Sequence, residues 1–359
     1  MPVPEKFPAA VVPKPRAQNI ISERTLQPLK PGEVAIKITA TAINPVDWKM
    51  RDYDAFISEY PAVLGSDAAG VIVDTAPDVS SHDVGDRVFF QGIVGNYDSS
   101  TFQQYCKMPA VLVSKTPNCI TDEQAAGVSL ATVAAVTAFY DKQGHGMIPP
   151  WEPQGHQVGN GKAIVIIGGG SSVGQYAIQL ARLSGFSRII TNASPANHAF
   201  LERLGAHVVL HRAHCTAADF NAAISGLPLE MVFDAISIKS TQVLSVQIIQ
   251  CKRTAGDVVT VHVVNPETVD PDAAALSRST EQMVEIKQVL GLGSSPELRY
   301  LSEPMVKHLG GEDGCIARRL FIPNRVRVIP GGLRSVEAAL ASNKNGVSGE
   351  KIVFKPCEE

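Results

Sequence analysis

The sequence has little that would take it to a membrane or to nucleic acid. No apolar run approaches the roughly 20 residues needed to cross a bilayer. The 32 basic and 35 acidic residues leave a net charge of only −3, which offers a phosphate backbone no attraction. Cysteine is sparse: Cys106, Cys119, Cys215, Cys251, Cys315 and Cys357 are scattered, with no C-x-x-C pair. That spacing gives no zinc ribbon and no small disulfide framework, and makes a reduced, intracellular protein the simple expectation. The opening MPVPEKFPAAVV lacks the basic head and apolar centre of a signal peptide, so a cytoplasmic location is expected.

What is present is an ordinary globular composition, 45% apolar and 19% charged over 359 residues, long enough for about two domains. The first third reads as β. Val34, Ile36, Ile38 and Ala40 alternate with Ala35, Lys37 and Thr39, and turn residues punctuate segments such as VSSHDVGDRVFF. Near residue 127 the Ala-rich GVSLATVAAVTAFYDK predicts a buried helix, followed by a surface loop from Gln143 to Gly161. Strands and helices then alternate, beginning with KAIVII and a helix from about Val173. This pattern implies βαβ units and a parallel sheet. The tail, from Arg325, has two strands around one helix.

Between the first of these strands and its helix lies Gly168-Gly169-Gly170-Ser171-Ser172-Val173-Gly174. It contains G-x-S-x-G, which in a hydrolase would make Ser172 a nucleophile. Gly144-His145-Gly146 is a poor oxyanion loop, and nothing ties His262 or His308 into a triad. The other register, Gly169-x-Ser171-x-x-Gly174, is a dinucleotide loop with serine for its second glycine. Serine keeps the side chain small and adds a hydroxyl donor, while the helix start offers free N–H groups to a pyrophosphate. An NAD site wants an acid about 20 residues on, for the ribose hydroxyl. Ile189 to Phe200 contains none, but does contain Ser194 and Asn197. Hydroxyl and amide donors tolerate a 2′-phosphate that a carboxylate repels, so NADPH is the expected cofactor.

The segments AINPVDWKM, GSDAAGVI, VGDRVFF, the glycine loop and SGEKIVF together resemble the medium-chain dehydrogenase/reductases. The likeness is greatest to their zinc-free, quinone oxidoreductase-like branch, and within it to the stand-alone, trans-acting enoyl reductases of fungal secondary metabolism. The resemblance implies an α/β protein. A GroES-like β-rich catalytic domain (1–135 and 316–359) would accompany a Rossmann NADP-binding domain with a doubly wound parallel sheet (136–315). Zinc-dependent members place Cys in the segment that here reads Ile43-Asn44-Pro45, and His where Ser66 stands. Neither an amide nor a hydroxyl is a good zinc ligand, and no metal site is expected. His207, His211, His214 and Cys215 are close in sequence. Their segment is the third Rossmann strand and its exit, however, where the resemblance puts His211 beside the adenosine phosphate.

Carbonyl reduction wants an electrophile on oxygen. None of the seven tyrosines opens a Y-x-x-x-K, so the short-chain dehydrogenase acid is lacking along with zinc. Reduction of an activated C=C needs only donors for a developing enolate and a proton for the α-carbon. The expectation is therefore NADPH-dependent, zinc-independent reduction of α,β-unsaturated carbonyl compounds or enoyl thioesters. The alternatives are quinone reduction and NADPH binding without turnover. The resemblance places Lys49 and Thr132 in the catalytic site. The cofactor set is Gly169, Gly170, Ser171, Ser172, Val173, Gly174, Ser194, Asn197 and His211. It also implies a monomer or homodimer, with a substrate that a polyketide synthase carrier can present.

Overall fold

The computed structural model describes residues 3–251, 256–261, 269–279 and 283–358. They form two compact units, one of residues 1–130 with 292–359 and one of residues 131–291.

The first unit opens with β1 (Phe7–Val12), β2 (Ile20–Arg24), β3 (Glu33–Ala42), α1 (Pro45–Tyr53), β4 (Ala62–Val63), β5 (Asp67–Thr75), β6 (Arg87–Gln91), β7 (Tyr105–Pro109), β8 (Val113–Lys115) and the short α2 (Asp122–Ala125). The chain leaves it along α3 (Ser129–Tyr140), the buried helix expected near residue 127. The second unit contains β9 (Ala163–Ile167), α4 (Ser172–Leu183), β10 (Arg188–Ala193), α5 (His198–Leu204), β11 (Val208–His211), α6 (Ala217–Ile224), β12 (Leu229–Asp234), α7 (Lys239–Cys251), β13 (Gly256–Val261), α8 (Pro271–Ser277) and β14 (Val284–Val289). The return to the first unit supplies α9 (Arg299–Leu309), β15 (Arg325–Val328), α10 (Val336–Lys344) and β16 (Glu350–Phe354).

In the first unit β2-β1-β4 form a small sheet. A second sheet runs β15-β16-β3-β5-β6-β8, with β7 also paired to β3. The alternation read in β3 is its core face: Val34, Ile36 and Ile38 pack with Ile72, Val88, Phe90 and Met108. In the second unit six parallel strands stand in the order β11-β10-β9-β12-β13-β14. All five residues of β9 are buried, as expected of a strand covered on both faces. The strand order reverses between β9 and β12, the point where open α/β sheets hold ligands at their carboxyl edge.

The chain rejoins the first unit at 292, earlier than the expected 316. The reason is packing that a local pattern does not reveal. Gly293 N–H donates to Gln91 Oε1 (3.0 Å) and Ser114 Oγ donates to the Val306 carbonyl (3.0 Å). Gly311 N–H bonds the Lys115 carbonyl (2.8 Å). Helix α9 is thereby tied to β8.

Candidate active and cofactor sites

At the carboxyl end of β9 the chain must turn sharply into α4. Gly168 takes φ +80° and Gly169 lies against β10, where an added Cβ would sit 2.2 Å from Thr191 Oγ1. A Cβ on Gly174 would sit 2.3 Å from the Gly168 carbonyl. Only glycine fits at either place, and the backbone is left bare toward the sheet edge. Ser171 caps α4: its Oγ accepts Gly174 N–H (3.0 Å) and donates to the Gly168 carbonyl (2.8 Å). Its hydroxyl proton is thus committed inside the loop. This corrects the expectation that Ser171 adds a free donor; beside it, Gly170, Ser172 and Val173 are partly exposed at the start of α4. Asn192, which the sequence reading passed over, completes the loop. Its Oδ1 and backbone carbonyl accept the Gly168 and Gly169 N–H groups at 2.8 and 3.1 Å.

Ser194 follows β10, and Asn197 Nδ2 donates to its Oγ at 3.3 Å. The register of β10 with β11 pairs Ala193 with His211. The structure therefore brings the glycine loop, Ser194, Asn197 and His211 to neighbouring positions on one edge of the sheet. The histidine cluster is not a ligand set. His207 Nδ1 accepts Ile189 N–H (3.0 Å), burial keeping its imidazole neutral. His211 instead stacks on His214 with ring centroids 4.4 Å apart. Cys215 Sγ accepts from Asn192 Nδ2 (3.5 Å). A dinucleotide fits this edge: three close-packed glycines, a helix N-terminus and no carboxylate among the residues around Ser194.

Among the described residues no triad for Ser172 as a nucleophile is seen. His262 lies outside the described residues, and His308 Nε2 contacts Cys315 Sγ (3.1 Å) in the first unit.

In that unit Asn44 precedes α1 with extended backbone, and Pro45 opens the helix. Asp47, in the first turn, reaches back to accept Asn44 N–H (2.7 Å) and Ser66 O–H (2.6 Å). Asn44 Nδ2 donates to Asp67 Oδ2 (3.4 Å), and the Lys351 ammonium donates to Asn44 Oδ1 (2.5 Å). All five side chains are buried. Burial pushes the carboxyls of Asp47 and Asp67 up, to about 6 and about 7, and pushes the Lys351 ammonium down. The residues present do not fit a zinc ion. Asn44 and Ser66 are spent on hydrogen bonds, and the Lys351 ammonium already sits against Asn44 Oδ1.

Lys49 stands on α1, half-buried, with its Nζ 5.4 Å from the centre of the Trp48 ring. Among the described residues no carboxylate pairs with it, and partial burial lowers its pKa. Thr132 lies in α3, wholly buried.

The alcohol dehydrogenase GroES-like domain family matches residues 30–118. The trans-enoyl reductase himH of Aspergillus japonicus is 30% identical, over 97% of this chain and 96% of that protein. The trans-enoyl reductase tndF of Aspergillus flavipes is 31% identical, over 96% and 97%. Among solved structures, the quinone oxidoreductase of Coxiella burnetii superposes with a TM-score of 0.70 at 23% identity, covering 98% of this chain and 99% of that one. With both units, the strand order and the glycine loop in agreement, the chain belongs to the medium-chain dehydrogenase/reductases, the nicotinamide-dependent oxidoreductases that include the fungal trans-enoyl reductases.

Proposed function

We propose that this protein uses NADPH, without zinc, to reduce the C=C bond of α,β-unsaturated carbonyl compounds or enoyl thioesters. The observation that carries the reading is Lys49, a partly desolvated cation with no carboxylate partner among the described residues, on the helix that leads out of the Asn44 segment. Bound NADPH supplies a hydride to the β-carbon. The first turn of α4 holds the pyrophosphate through its free N–H groups. Ser194, Asn197 and His211 hold the adenosine end, where a carboxylate would repel the 2′-phosphate. Lys49 stabilises the negative charge that develops on the carbonyl oxygen, a task for a preorganised cation in a site of low dielectric. The likeness to two trans-enoyl reductases over almost the whole chain supports an enoyl substrate; its presentation by a polyketide synthase carrier is part of the same proposal.

The test is NADPH and NADH oxidation with a panel of enones, enoyl thioesters and quinones, before and after chelation. Enone or thioester turnover with NADPH that survives chelator is expected. Turnover with quinones alone would favour the quinone reductase reading, and NADPH binding without any oxidation would favour a non-enzymatic binder. About one tightly bound zinc per chain, with activity lost on its removal, would overturn the proposal.

A further inference from the structure

Asp47, Asp67 and Lys351 lie out of solvent together in the first unit. They come from the first turn of α1, the start of β5 and the strand β16. The Lys351 ammonium is 2.5 Å from Asn44 Oδ1 and 3.8 Å from Asp67 Oδ2. Asp67 and Asp47 are the charged groups that act on it. Asp67 Oδ1 also accepts Leu130 N–H (3.1 Å). The lysine stem has little room to move, because a Cβ on Gly127 would sit 2.7 Å from Lys351 Cγ. A buried cluster of two carboxylates and one ammonium is a poor source of stability, since desolvation offsets most of the attraction. Its geometry points to a role in placement. The ammonium holds Asn44, the residue on which α1 begins. Further along, α1 is tied to α10 by Trp48 Nε1 donating to Asn343 Oδ1 (3.1 Å) and by Arg51 paired with Glu337 (2.6 Å). Lys49 stands between Asn44 and Arg51, next to Trp48.

We propose that Lys351 is a positioning residue: its ammonium, seated between Asn44 and Asp67, fixes the start of α1 and thereby the place of Lys49. The inference rests on the assignment of Lys49 as the catalytic cation. Lys351→Met keeps most of the stem and removes the charge. Asn44→Ala leaves the Lys351–Asp67 pair and removes its link to α1, together with the Asn44–Asp67 hydrogen bond, so it decides the matter where Lys351→Met does not fold.

The experiment is a double-mutant cycle on enone reduction, with NADPH affinity read separately by fluorescence titration. Each variant is expected to lower kcat by about tenfold or more, the scale of a small misplacement, with KM and NADPH affinity little changed. In a Lys49→Ala background neither should lower kcat further. The same fractional loss in that background would overturn the proposal, as would Asn44→Ala turning over at the full rate. Lys49→Ala measured alone reports on the assignment of Lys49. Wild-type turnover in that variant overturns the assignment, whatever the other two variants do.

Discussion

At the scale of single residues, Lys49 and Ser194 make separate claims. Lys49 is half-buried, with its Nζ 5.4 Å from the centre of the Trp48 ring. If it stabilises the enolate, Lys49→Ala should lower enone turnover by about 10²-fold, the low end for an oxyanion donor, and leave NADPH affinity and folding nearly unchanged. Quinone reduction should suffer less, because a quinone carries its own electron sink; steady-state kinetics on both substrates checks this. Ser194→Asp tests the other end of the reaction. It places a carboxylate beside Asn197 and the edge where His211 stands, so NADPH binding should weaken relative to NADH, a change that titration of both cofactors would detect. Both residues stood out in the sequence, Lys49 through the family resemblance of its segment and Ser194 through the lack of an acid from Ile189 to Phe200. Lys351 and Asn192 were not. Lys351 reads as one lysine in an apolar strand, and its partner Asn44 is 307 positions away. Asn192 looks like the polar end of a strand until the β9–β10 pairing puts its Oδ1 on Gly168 N–H.

At the scale of elements, the glycine loop is set by contacts on both sides. Thr191 Oγ1 is held by its bond to the Ile166 carbonyl (2.6 Å), so it cannot yield to a methyl group on Gly169. Gly169→Ala is therefore expected to cost about 1–3 kcal/mol of stability, as overpacking does. NADPH affinity should fall by more than tenfold, because the shifted loop misdirects the N–H groups of α4. Urea unfolding and cofactor titration measure the two effects, and an alanine variant with wild-type values of both would exclude the close-approach argument. The βα alternation around this loop was readable because each element carries its own period: AIVII is wholly apolar and α4 is amphipathic. Helix α9 was not readable in the same way. Pro304 stands inside it and breaks the helical pattern. Its membership of the first unit depends on Gln91 and Ser114, residues about 200 positions earlier.

At the scale of the whole molecule, the buried cluster ties stability to pH in an unusual sense. In the folded chain the carboxyls of Asp47 and Asp67 are raised to about 6 and about 7 by burial, against about 3.9 in an unfolded chain. The folded state therefore binds protons more tightly than the unfolded state between about pH 4 and pH 7. The stability linked to these protons is fully present below pH 4 and is lost as pH rises through 6 and 7. The depressed Lys351 acts in the opposite sense, and it is present in both proteins when a variant is compared with wild type. Asp47→Asn isolates the effect. Its carboxamide oxygen can accept Asn44 N–H as the carboxylate does, and its NH₂ can donate to Ser66 Oγ once that hydroxyl turns, so both hydrogen bonds survive without the charge. Relative to wild type, the variant should gain about 1–3 kcal/mol of unfolding free energy on going from pH 5 to pH 8. Urea denaturation of both proteins at the two pH values gives the number directly. A difference between them that is the same at pH 5 and pH 8 would mean that Asp47 is ionised throughout, with Lys351 and the Asn44 and Ser66 hydrogen bonds compensating fully for its burial.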